Sequence, residues 1–179
     1  NWLNLLDLGL SATLCRQVSF ARGQISGFKH FNNLLRSFEI IFITLAIVIV
    51  FAVYLKSDWI AYKWIKAILL DPESISYCIS IMGIIIGIRF FSTLYRGGII
   101  GFEDQIWLNK VVVVITSLKY IGSFLILAYI SNNIELFFEY QLVIALLEVG
   151  ILGGRFYYNL PSSTIRGKWF KIDGRFFRE

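Results

Sequence analysis

Residues 107–130 read WLNKVVVVITSLKYIGSFLILAYI. The run is long and apolar enough to cross a bilayer as a helix, which takes about 20 mostly apolar residues. Lys119 nevertheless stands near its centre. A charge at that depth costs at least ~2.5–3.5 kcal/mol on insertion scales, so it belongs in a bundle interior or a wet cavity rather than against acyl chains. Thr116 and Ser123 lie one turn to either side of it on the same face. Val112, Ile115 and Ile126 are assigned to the opposite, apolar face. The expected helix therefore lines a polar route through a membrane.

The composition agrees. Of 179 residues, 57% are hydrophobic and 16% are charged, against ~45–50% and ~25% in soluble domains. Mean hydropathy is +0.69. The net charge of +5 does not indicate nucleic acid, because the bases gather in links between apolar runs, as orientation signals do. Cys15, Cys78 and His30 are too few and too scattered for a zinc or haem site. They leave no metal or cofactor to expect.

Outward from 107–130, the sequence predicts full spans at 38–55, 74–95 and 134–158. A partial span over residues 2–21 is broken by Asp7, Gly9 and Arg16. The expected fold is an all-α, multi-pass transmembrane bundle. Residues 22–37 read as a basic link, and Glu39 pairs with Arg36 across an i,i+3 contact. Residues 56–73, with Trp59, Tyr62 and Trp64 between lysines, read as an amphipathic helix at the membrane surface or a tilted continuation of the span before it. Gly83 and Gly87 make a small-xxx-small spacing. Gly97, Gly98 and Gly101 read as a tight polar turn. The three-residue link Ser131, Asn132 and Asn133 forces an antiparallel neighbour. Basic residues place the 22–37 link and the C-terminal tail on the cytoplasmic side. The chain opens at Asn1 and closes on RFFRE, and so reads as a fragment of a larger protein.

On this topology Arg89, Lys119 and Glu148 share a layer near mid-membrane, within roughly 6 Å in depth at 1.5 Å per residue. Arg96 follows Arg89 by seven residues, and Gln141, Glu148 and Arg155 form a stripe with the same spacing. Two readings stand side by side. One is a buried Lys119–Glu148 salt bridge, with Arg89 reaching for headgroups. The other is a cationic cavity that accepts an anionic group such as a pyrophosphate. Asp7 and Glu148 are candidates for ion coupling. The glycines fit no Walker motif. The adjacent Glu103 and Asp104 and the isolated His30 make a poor catalytic set, so no enzyme is expected.

Several stretches together resemble a known family. DLGLSATLCRQVSFARG at 7–23, LYRGGIIGFEDQIWLN at 94–109, FFEYQ at 137–141 and YYNLP at 157–161 are similar to segments of bacterial polysaccharide repeat-unit flippases. These belong to the multidrug/oligosaccharidyl-lipid/polysaccharide exporter superfamily. The resemblance implies a two-lobe exporter fold, of which this chain covers the end of helix two through helix six. It implies translocation of undecaprenyl-diphosphate-linked oligosaccharides across the bacterial inner membrane by alternating access. It brings a polysaccharide polymerase and a chain-length regulator as partners beside the lipid-linked oligosaccharide. A cationic interior is a theme of that family, and Arg16, Arg89, Lys110 and Lys119 are the candidates here, with Thr116, Ser123, Gln141 and Glu148 in support. The alternatives are a drug or peptidoglycan-precursor exporter of the same superfamily, or a membrane-bound glycosyltransferase or acyltransferase.

Overall fold

The computed structural model describes residues 9–22, 27–65, 71–130 and 133–160. Asp7, the Ser131–Asn132 link, the tail from residue 161 and the His30 side chain lie outside the described residues. The chain is an all-α bundle, with no strand among the described residues. Helix α1 is Leu10–Arg22 and α2 is Gly27–Trp59, whose final turns widen to a π-helix over Ile60–Ile65. Helix α3 is Pro72–Gly101 and α4 is Gln105–Leu125, ending in a π-turn at Ile126–Ile130. Helix α5 is Ile134–Asn159.

Among the described residues, four helices are long and apolar enough to cross a membrane. They carry large apolar side chains on their outsides, among them Phe51 (60% exposed) on α2 and Phe124 (67% exposed) on α4. A soluble monomer does not tolerate apolar patches of that extent. Acyl chains do, as a membrane protein requires.

Local chemistry sets the helix starts. At α3, Asp71 Oδ1 accepts from the Glu73 N–H at 3.5 Å, and Pro72 occupies the first helical position. Its missing N–H would have been unpaired there anyway. At α5, Asn133 Oδ1 accepts from the Glu135 N–H at 3.0 Å. Both first turns carry a glutamate, on the side the helix dipole favours. Gly9 precedes α1 with φ +76°, a conformation glycine adopts at little cost. Helix α3 ends in a Schellman arrangement. The Asp104 N–H reaches the Ile99 carbonyl at 3.2 Å, and the Glu103 N–H reaches that of Ile100 at 2.9 Å. Glu103 holds the left-handed position with φ 63°, where glycine is usual.

Helix α3 is the centre of the bundle, touching α1, α2, α4 and α5. Gly83 and Gly87 do form its close face toward α2. A Cβ at Gly87 would stand 2.7 Å from Val50 Cγ2 and 3.3 Å from the Ala46 carbonyl oxygen. The main core lies at the end where α3 stops and α4 starts. There Leu14 and Val18 of α1, Phe42 of α2, Phe90 and Leu94 of α3, and Leu152 and Phe156 of α5 are fully enclosed.

Three expectations are corrected and one choice between two readings is decided. Arg16 does not break α1; it sits exposed on a continuous helix. The 22–37 link is helical from Gly27 onward. Of the two readings of the aromatic segment after residue 55, the continuation of the preceding helix holds as far as Ile65, and no separate surface helix forms there. Gly97, Gly98 and Gly101 belong to α3, not to a turn. They are small because α1 and α5 press on them: a Cβ at Gly97 would lie 2.7 Å from the Ser11 carbonyl oxygen, and one at Gly98 would overlap Phe156. Glu39 stands within electrostatic reach of Arg36, but its carboxylate also accepts a hydrogen bond from the Tyr157 hydroxyl of α5. It thus ties α2 to α5 as well as meeting its own helix.

Candidate functional site

The polar stripe of α5 organises the site. Gln141, Glu148 and Arg155, seven residues apart, each meet a polar group across the bundle. Gln141 donates to Ser123 Oγ of α4 at 3.1 Å. Glu148 pairs with Arg96 of α3. Arg155 grips Asp104, in the turn between α3 and α4, through Nη2 at 2.7 Å and Nε at 2.8 Å. The Arg155 guanidinium also lies 5.0 Å from the Trp107 ring centroid, within cation–π range.

Helix α4 is therefore fastened to α5 near both ends. Asp104 holds its start, and Ser123 holds its far end. Between these points the Tyr140 hydroxyl donates to the Leu118 carbonyl at 2.7 Å, and Gly122 leaves the room for that ring. Across the middle, α3, α4 and α5 leave a cavity of about 410 Å³. Arg89, Ser92, Thr93 and Arg96 line it from α3. Val112, Ile115, Thr116, Lys119 and Tyr120 line it from α4, and Glu148 from α5. The walls carry three cations and one carboxylate, a net +2. The volume falls in the range of small-ligand sites, ~300–1,000 Å³.

The side chains differ in how firmly they are held. Glu148 is buried, with its side chain 10% exposed, whereas that of Arg96 is 38% exposed. The Nε atoms of Arg89 and Arg96 are buried and find no acceptor among the described residues. Lys119 makes no ion pair among the described residues; its Nζ lies 5.3 Å from the Tyr120 ring centroid. The hydroxyls of Ser92 and Thr93 turn back onto the carbonyls of Arg89 and Phe90 at 2.8 and 2.6 Å.

The sequence brought Arg89, Thr116, Lys119 and Glu148 forward, and they meet at one cavity. The partner of Glu148 is Arg96, not Lys119. Arg96 is a site residue that the sequence candidates did not include; its seven-residue spacing from Arg89 is the signal for it, and the helix runs past the expected end at 95 to Gly101. Ser123 and Gln141 satisfy each other beside the cavity rather than lining it. Val112 and Ile115 line the same face as Lys119, not the opposite one, and Ile126 is buried. Spacings of four and seven residues require this in a helix of 3.6 residues per turn. The same rule removes Lys110: nine residues from Lys119 is half a rotation, and Lys110 is exposed on the outer face. Arg16 is exposed on α1 and lines no part of the cavity. Asp7 lies outside the described residues.

No family model matches the chain, and no curated protein or solved structure matches it either.

Proposed function

We propose that this protein is part of a flippase for undecaprenyl-diphosphate-linked oligosaccharides in the bacterial inner membrane, working by alternating access in surface polysaccharide synthesis. One observation carries the reading: a half-open cleft with a net charge of +2 between helices whose outer faces are apolar. A doubly ionised diphosphate diester is its electrostatic complement. Two guanidinium forks suit such a group because each can grip two oxygens at once. A cavity of about 410 Å³ has room for the diphosphate and its neighbouring atoms but not for a whole repeat unit. The site therefore reads the phosphates and leaves the sugars to other surfaces. The likeness of residues 7–23 and 94–109 to the flippase segments supports the same reading.

A peptidoglycan-precursor exporter would carry the same diphosphate, and the cavity suits it equally well. A pump for cationic drugs would meet repulsion from these walls. The test is expression of the whole flippase that contains this chain in a bacterium whose own repeat-unit flippase has been removed. Restored surface glycan, lost again with Arg89→Gln or Lys119→Gln, is the expected result. Rescue of cell-wall synthesis without surface glycan would move the assignment to the precursor exporter. Drug tolerance alone would contradict the diphosphate reading.

A further inference from the structure

We infer that Glu148 is a built-in competitor for the anion site: its carboxylate occupies Arg96 when the cavity is empty and yields Arg96 to the ligand on binding. The inference rests on the anion-site reading above.

Three ion pairs occur among the described residues. Arg22–Glu103 and Arg155–Asp104 join helices to the turn between α3 and α4, away from the cavity lining. Only Arg96–Glu148 has both members in the cavity wall. Within that pair the carboxylate is the enclosed partner and the guanidinium the more open one. A long arginine side chain can turn toward the cavity while Glu148 stays fixed on α5. Arg96 Nε has no acceptor among the described residues, so the present pairing leaves part of the fork unused. A diphosphate, with more acceptor oxygens than one carboxylate, would fill it. Arg89 and Lys119 flank the same space, and neither makes an ion pair among the described residues. They supply charge that a ligand gains without displacing anything.

Removing a carboxylate from an anion site relieves repulsion and tightens binding by charge alone. The competitor predicts more: freeing Arg96 without removing the charge should tighten binding too. If the pair is closed in nine molecules of ten, releasing Arg96 tightens apparent affinity about tenfold, because affinity scales with the competent fraction.

The experiment is titration of the purified full chain with inorganic pyrophosphate, read by calorimetry, and then with a short polyprenyl diphosphate. The second ligand separates a lipid-borne diphosphate from a free one. Glu148→Gln is expected to bind both about tenfold more tightly than the wild type. Arg89→Gln and Lys119→Gln are expected to bind at least several-fold more weakly. Glu148→Asp keeps the charge while its shorter arm reaches Arg96 less well, and it should also tighten binding, which loss of charge alone would not do. Wild-type binding that is lost in Arg89→Gln, with unchanged or weakened binding in the Glu148 variants, would overturn the competitor and leave the anion site standing. Absence of binding by the wild type and the Glu148 variants alike would overturn both.

Discussion

Glu148 and Arg96 do not share the cost of their burial equally. Breaking a buried pair by removing one member costs ~3–5 kcal/mol when the remaining charge is stranded. Arg96→Gln would strand the enclosed Glu148, with Lys119 in the same wall to soften the loss. A loss of about 3 kcal/mol is expected, measured by denaturation in detergent. Glu148→Gln leaves an arginine that can turn into the cavity, so its loss should be clearly smaller. Equal losses would mean that Arg96 is as confined as its partner. Glu103 offers a second test at this scale. Its left-handed backbone costs an L-residue roughly 1–2 kcal/mol. Its ion pair with Arg22, at 3.3 Å with both side chains well exposed, is worth under about 1 kcal/mol. Glu103→Gly should therefore raise stability slightly, by up to ~1 kcal/mol, seen as a higher melting temperature. A fall would mean that the Arg22 contact holds more than its exposure implies.

Helices in this chain run past their apolar stretches, and their glycines tell why. Hydropathy finds the part of α3 that lipid can touch, but Gly97, Gly98 and Gly101 look like a turn when only composition is read. They are helical because α1 and α5 lie against them. Ser19 of α1 donates its hydroxyl to the Gly101 carbonyl at 3.2 Å, satisfying one of the end carbonyls of α3. The Ser19 contact spans 82 positions, and such contacts cannot be seen in a local window. The spacing rules, by contrast, were legible. Gly83 and Gly87 face α2, and the α5 stripe meets a partner at every seventh residue. Where they failed, at Val112, Ile115 and Ile126, the error lay in the face assigned and not in the periodicity; Lys110 came from the family resemblance and not from spacing. At this scale Gly101→Val should drive α1 off α3, because a Cβ would lie 2.7 Å from the Cys15 carbonyl oxygen. Overpacking of this kind costs ~1–3 kcal/mol. Gly150→Ala, where a Cβ meets nothing within 4 Å, should instead gain up to ~1 kcal/mol from helix propensity. Thermal melting of the two variants checks the contrast.

The whole molecule places a charged, half-open cleft between α3, α4 and α5 of a bundle whose outer faces are apolar. The sequence anticipated that layer from helix depth alone: Arg89, Lys119 and Glu148 were put at one level, and they line one cavity. The pairing inside the layer was not legible, because two cations, Arg96 and Lys119, face Glu148 and only packing decides which is nearer. The central claim is that this hollow admits water-borne anions. The direct measurement is labelling of Thr116→Cys, in a background with Cys15→Ala and Cys78→Ala, by a membrane-impermeant thiol reagent. Thr116 is chosen because it is exposed in the cavity wall. The account predicts that residue 116 is modified and that pyrophosphate slows the modification in a dose-dependent way, with no slowing once Arg89 is replaced by Gln. A site sealed from the reagent, or modified at the same rate with and without pyrophosphate, would contradict it.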